Sequence, residues 1–152
     1  MMNRFIPVDW AHSTNIYEVN VRQYTEPGTF NAFMQHLPRL KAMGVQTIWF
    51  MPVTPISEKN KKGTLGSYYA CSDYTSINPE FGTLDDFKEL VKQAHEMGFK
   101  VIIDWVANHT GWDHVWIKNH PDYYTNDSLG NIIDPLNEHG ESMGWADVAD
   151  LN

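Results

Sequence analysis

An aspartate closes the apolar run Val101-Ile102-Ile103-Asp104, and an asparagine and a histidine follow at positions 108 and 109. A carboxylate at the end of a strand-length apolar run is costly to bury unless something pairs with it. Asn108 offers a neutral oxygen suited to a hard cation, and His109 offers a ring that donates hydrogen bonds near neutral pH. Parallel α/β sheets gather ligands at the carboxyl ends of their strands, which is where this group falls. Taken singly, Asp104 also suits a helix N-cap or a solvated loop, and a lone Asn-His pair carries little information. The full spacing D-x-V-x-N-H after an apolar strand carries much more. A second group is aromatic: rings make up 13% of the chain, with six Trp and seven Tyr. Rings fill cores, and their flat faces also suit the apolar C–H face of a pyranose.

The elements that must position these side chains follow from periodicity. Residues 15–21 alternate apolar and polar, a strand period. Pro27-Gly28 ends the loop after it. Phe30, Phe33, Leu37 and Leu40 form one apolar helical stripe over residues 30–43, with Pro38 predicting a kink or a late start and Gly44 at the left-handed C′ position. Residues 45–50 are a short apolar run of strand length. Residues 51–82 form a long connection rich in Gly, Pro, Ser and Asn, a length that marks function or disorder. Thr83-x-x-Asp86 opens a second helix as a variant capping box, with Phe87, Leu90, Val91, Ala94 and Met97 as its buried stripe and Gly98 as its end. Residues 101–104 are a third buried strand. Met43-Gly44-Val45 and Met97-Gly98-Phe99 echo one another, each reading as helix end, glycine, strand. Strand, helix, strand, helix, strand with buried strands means a parallel sheet with right-handed crossovers. Beyond Gly111 periodicity fades, apart from a short helix expected over residues 113–119. A complete (β/α)8 barrel takes about 250 residues, and three parallel strands alone leave two unpaired edges. The expected fold class is therefore α/β, a partial (β/α)8 TIM barrel of three parallel strands and their helices, followed by an irregular segment.

Composition excludes several partners. The formal net charge is −8, from 11 Lys+Arg against 19 Asp+Glu, the wrong sign for nucleic acid or an anionic membrane. The one basic run, Lys59, Lys61 and Lys62, reads as a solvated loop. Cys71 is the single cysteine, so no internal disulfide can form. No Cys/His zinc spacing and no H-E-x-x-H occurs. Residues 1–10 show no apolar leader core, and no stretch reaches the roughly 18 apolar residues of a membrane span. A cytoplasmic protein is expected.

The combination of motifs is more specific than its parts. Asp104-Trp105-Val106-Ala107-Asn108-His109 resembles the first signature region of the α-amylase family, glycoside hydrolase family 13. Tyr69-Ala70-Cys71-Ser72-Asp73-Tyr74 and Ile77-Asn78-Pro79-Glu80-Phe81-Gly82-Thr83 resemble the family's second β/α loop, with Gln93-Ala94-His95-Glu96-Met97-Gly98 between them and the signature. Val148-Ala149-Asp150-Leu151-Asn152 is similar to the motif near the end of its inserted domain B. The resemblance implies two domain pieces: residues 1–110 as the N-terminal part of the catalytic barrel and residues 111–152 as the start of domain B. It implies substrate-binding roles for Tyr69, Asp104 and His109. Tyr69 would stack on the sugar where the bond breaks, His109 would hydrogen-bond a hydroxyl of that sugar, and Asp104 would support the polar network. Asn108 and Asp150 would be ligands of a structural Ca²⁺, which takes about six to eight oxygens. The implied substrates are α-glucans, namely starch, glycogen or malto-oligosaccharides.

One departure matters most. Retaining glycosidases use two carboxylates about 5 Å apart, a nucleophile and an acid/base. In this family they follow the fourth and fifth strands, with a third aspartate after the seventh, and no such strands are present here. No catalytic residue is therefore assigned. Asp73, Glu138, Glu141 and Asp147 lack the context for the role. The expected parent is an α-amylase-type enzyme working by double displacement, and this chain alone is expected to be inactive. The alternatives are a transglycosylase of the same family, of glucan-branching or trehalose-forming type, a non-catalytic carbohydrate-binding module, and an unrelated α/β enzyme that converged on the D-x-x-x-N-H pattern.

Overall fold

The computed structural model of the chain describes residues 6–152. The expectation of no leader segment in residues 1–10 falls partly on residues 1–5, outside the described residues. Three strands form a parallel sheet in the order β1 (Ile16–Val19), β2 (Thr47–Phe50), β3 (Lys100–Ile103). Their register aligns Tyr17, Ile48 and Val101 across the sheet, and one step further Glu18, Trp49 and Ile102. Side chains alternate between faces along a strand. Val19, Ile48 and Phe50 lie fully buried on one face. There they meet the helices that connect the strands. The other face carries Glu18, Trp49 and Ile102, and is less covered. Asp104 continues β3 onto that second face.

The first strand is shorter than its alternation predicts because Asn20 turns the chain into α1 (Val21–Tyr24). Upstream, Asn15 grips the start of β2. Its Oδ1 accepts the Gln46 N–H at 2.8 Å, and its Nδ2 donates to the Gly44 carbonyl at 2.9 Å.

The helical stripe at residues 30–43 is split into α2 (Phe30–Met34) and α3 (Leu37–Ala42). Pro38 falls in the first turn of α3, where its missing N–H costs nothing and its fixed φ suits a helix start. Phe30, Phe33, Leu37 and Leu40 nonetheless stay on one buried face. The next helix, α4 (Leu84–Glu96), opens on a full capping box: Thr83 accepts the Asp86 N–H, and Asp86 accepts the Thr83 N–H at 2.8 Å. Rings lock α2 and α4 onto β2. Phe30 packs on Phe87 at 5.0 Å, Phe33 on Phe50 at 5.4 Å, and Phe50 on Phe87 at 5.9 Å.

The sequence echo at the two helix ends has a geometric cause. Gly44 and Gly98 adopt φ of 84° and 85°. The N–H of Val45 then reaches the Leu40 carbonyl, and that of Phe99 the Ala94 carbonyl. Each is the six-to-one bond of a Schellman ending, and the apolar residue after each glycine packs back on its own helix.

After β3 the chain leaves the sheet. β4 (His109–Gly111) pairs antiparallel with β5 (Val148–Asp150), placing His109 opposite Asp150. The expected boundary at residue 110 thus falls inside β4. Between the two strands lie α5 (Val115–Asn119), capped by the His114 ring, and two turns at residues 127–131 and 137–141. A small second core forms at this neck. Thr110, Tyr124, Val148 and Ala149 are buried there, with 2.7 Å between the Thr110 and Tyr124 hydroxyls. Among the described residues, no helix is long and apolar enough to cross a membrane.

Candidate functional site

Asp104 is set by the sheet itself. Its N–H donates to the Phe50 carbonyl at 2.8 Å, which extends the β2–β3 ladder by one residue and delivers the carboxylate to the rim. Tyr69 arrives from the long 51–82 connection, which is held tightly along its length. The Ser57 N–H donates to the Ala70 carbonyl at 2.7 Å, and that of Ser72 to the Pro55 carbonyl at 2.9 Å. Next door, the Arg22 guanidinium lies 4.6 Å from the centre of the Tyr68 ring and pairs with Glu80 at 2.6 Å. The two arrivals meet: the Tyr69 hydroxyl donates to Asp104 Oδ2 at 2.9 Å.

Burial pushes the Tyr69 phenol up to about 12, helped by the bond to Asp104 and by the Asp104 and Glu18 charges. The folded chain therefore holds this proton more tightly than the unfolded chain, whose ordinary value is 10.0. The resulting stability is fully present below pH 10 and is lost as the pH rises through about 12. Ultraviolet titration of tyrosinate tests this. The wild-type curve minus that of Tyr69→Phe is expected to show one phenol ionising near pH 12. A difference centred at pH 10 would contradict the Tyr69–Asp104 bond.

A cavity of about 520 Å³ opens at this rim, lined by Tyr69, Asp104, Tyr68, Tyr74 and Trp105 among others. Its walls are largely aromatic and apolar, and Asp104 is the one carboxylate lining it. Trp105 is 67% exposed, and its edge meets the Tyr74 ring at 6.0 Å. The Tyr74 hydroxyl, half-buried with its pKa driven well up by burial, bonds the His109 carbonyl at 2.8 Å, with the Val106 carbonyl at 3.0 Å. That contact fixes the path of the signature loop.

His109 is placed differently from its two partners. It does not line the cavity; its ring is 7% exposed and packs at the neck, edge-on to Trp145 at 5.9 Å. The pairing of β4 with β5 turns it there. Its Nδ1 lies 3.1 Å from the Asn108 side-chain nitrogen, an arrangement that leaves the proton on Nε2. Burial lowers its pKa, opposed by Asp147, Asp150 and the Tyr69 backbone.

Asn108 and Asp150 flank the same hairpin. The Asn108 carbonyl accepts the Leu151 N–H at 3.1 Å, and Asp150 stands opposite His109. These are oxygen donors of the right kind for Ca²⁺, but only two of the about six to eight it takes. Among the described residues, no group of three or more His, Cys, Asp or Glu side chains gathers to hold a metal. The side chains present do not by themselves make a calcium site.

Three residues of this region are given no functional role by the sequence pattern: Phe50, whose carbonyl places Asp104; Tyr74, whose hydroxyl pins the signature loop; and Asp147, buried beside His109. Tyr74 lies within a recognised motif, which is the only hint. The other two depend on contacts across long stretches of chain.

A parallel β/α sheet in the order β1-β2-β3, with an aromatic, carboxylate-bearing cavity at its carboxyl rim and an irregular excursion after it, has the layout of the first part of a (β/α)8 barrel. Comparison with known proteins gives the family. Residues 7–134 match the family model for the alpha amylase catalytic domain. The chain is 32% identical over 148 residues to a trehalose synthase of Pimelobacter sp., covering 94% of this chain and 23% of that protein. It is 37% identical over 126 residues to an alpha-1,4-glucan:maltose-1-phosphate maltosyltransferase of Rhodospirillum rubrum, covering 71% of this chain and 18% of that protein. Among solved structures, an alpha-amylase from Lactobacillus plantarum superposes with a TM-score of 0.85 at 45% identity, over 91% of this chain and 32% of that one. The chain therefore belongs to the α-amylase family, glycoside hydrolase family 13. It spans roughly a fifth of the length of these curated relatives.

Proposed function

We propose that this chain forms the sugar-holding rim of an α-amylase-type glycoside hydrolase that cleaves α-glucosidic bonds of starch, glycogen or malto-oligosaccharides. The observation that carries the reading is the Tyr69–Asp104 hydrogen bond at the mouth of an aromatic cavity. A ring held by a carboxylate, with further rings beside it, suits the apolar face and polar edge of a pyranose. In such a rim Tyr69 stacks on the sugar and Asp104 orders the polar network around it. His109 does not line this cavity; its buried side chain packs at the neck beside it.

Double displacement needs two carboxylates about 5 Å apart. The cavity has only Asp104, and that group is engaged by Tyr69, so the nucleophile and acid/base belong to residues other than these. Asn108 and Asp150 would supply two oxygens to a Ca²⁺ shared with further ligands, holding the neck to the barrel. A second reading, transfer in place of hydrolysis, is favoured by the presence of a trehalose synthase and a maltosyltransferase among the relatives.

The test combines calorimetry with maltotriose and an assay on a chromogenic maltoside, both with the purified chain. Weak but specific maltotriose binding without turnover is the expected result. Turnover that Asp104→Ala abolishes would overturn the assignment of the catalytic groups to other residues. Absence of any sugar binding would remove the rim reading itself.

A further inference from the structure

The run Lys59, Lys61 and Lys62, expected from sequence to be a solvated loop, is engaged at all three positions. Lys61 pairs with Glu58 at 2.6 Å, Lys59 Nζ lies 5.9 Å from the centre of the Trp112 ring, and Lys62 Nζ lies 2.7 Å from Asp147 Oδ1. These contacts differ in weight. The Lys61–Glu58 pair is local and its acid is exposed, so it contributes little. Asp147 is 7% exposed, stands one residue before β5, and has Lys62 as its ion-pair partner. With its acid buried, this contact outweighs the Lys61–Glu58 pair, while solvent reaching the half-exposed Lys62 screens it.

The same segment is attached at further points. The N–H groups of Glu58 and Lys59 both donate to Asp113 Oδ2, at 2.9 and 3.1 Å. Ser57 fills the space over Gly111, where an added Cβ would lie only 2.1 Å from the Ser57 Cβ. On the far side, Trp112 Nε1 donates to the Ala146 carbonyl at 3.0 Å, next to Asp147. Residues 57–62 therefore form a strap. It runs from the barrel connection that carries Tyr69 to the β4–β5 neck that carries His109.

We propose that Lys62 and Asp147 are positioning residues whose ion pair holds the Tyr69 loop against the His109 hairpin, keeping the Tyr69 wall of the cavity in place. The role rests on the sugar-binding reading above, but the strap does not. Lys62 keeps 56% of its side chain exposed, so the pair is formed from the solvent side, and Lys62 can be altered without disturbing the core.

The test measures two quantities on the purified chain: maltotriose affinity by calorimetry, and the rate of chymotryptic cleavage after the exposed Leu65, identified by fragment mass. Lys62→Met and Asp147→Asn are each expected to weaken maltotriose binding about tenfold and to speed cleavage after Leu65. Lys62→Arg, which keeps the charge, is expected to match the wild type in both. Asp147 is buried and its variant can misfold; Lys62→Met decides in that case. Unchanged affinity in Lys62→Met, with a wild type that binds, overturns the positioning role. So does a Lys62→Arg chain as weak as Lys62→Met. A wild type that binds no maltotriose overturns the positioning role together with the sugar-binding reading, and cleavage after Leu65 then reports on the strap alone.

Discussion

Replacing Phe50 by alanine is expected to cost about 3–5 kcal/mol of stability, the range for removing a fully buried phenylalanine from a packed core. Phe50 has no exposed surface and touches two helices of the covering layer, with Phe33 at 5.4 Å and Phe87 at 5.9 Å. Neither ring can close the gap alone, because Phe33 belongs to α2 and Phe87 to α4, each seated on its own turn. A domain's whole stability is about 5–15 kcal/mol, so the loss approaches the margin. The effect extends to the site, since the Phe50 carbonyl receives the Asp104 N–H at 2.8 Å. Urea unfolding followed by tryptophan fluorescence measures it. A fall of less than about 1 kcal/mol would mean that the α2 and α4 rings repack across the vacancy.

The second large effect is on binding. Asp104→Asn keeps the shape of the side chain and removes its charge. Hydrogen bonds to a charged group contribute about 1.5–3 kcal/mol, against about 1 for neutral pairs. If Asp104 orders the sugar-facing network, the loss of about 0.5–2 kcal/mol is expected to lower maltotriose affinity about 2- to 30-fold, because each 1.4 kcal/mol is about tenfold. The Tyr69 phenol, pushed up to about 12 partly by Asp104, is expected to titrate closer to its ordinary value in the same variant. The paired readout separates two failures. Unchanged affinity with a shifted phenol means that Asp104 only anchors Tyr69; an unshifted phenol means that the hydrogen bond is absent in solution. Calorimetry and ultraviolet titration on one preparation give both.

Much of this fold was legible along the chain. Thr83 and Asp86 stand three residues apart and satisfy one another's backbone, so the start of α4 could be read directly. Gly44 and Gly98 each follow an apolar stripe, and each takes the left-handed conformation that ends a helix. Pro38 marked the break that separates α2 from α3. The strap was not legible. Three lysines in a loop look alike in sequence, and only position distinguishes Lys62, which meets a buried acid, from Lys61, which meets an exposed neighbour. Asp147 likewise has no pattern to announce it.

Local chemistry, then, settled the order of strands and helices and the rim position of Asp104, and the motifs carried the family resemblance that the comparisons establish. Each of these depends on residues within a turn or two of one another, or on motifs read in order. The tertiary structure alone decided that Tyr69 bonds Asp104 across 35 positions, that β5 returns to pair with β4, and that this pairing turns His109 into the neck. Contacts of that kind join single polar groups from distant segments. They leave no period in the sequence, and they exist only once the sheet has set the distances between them.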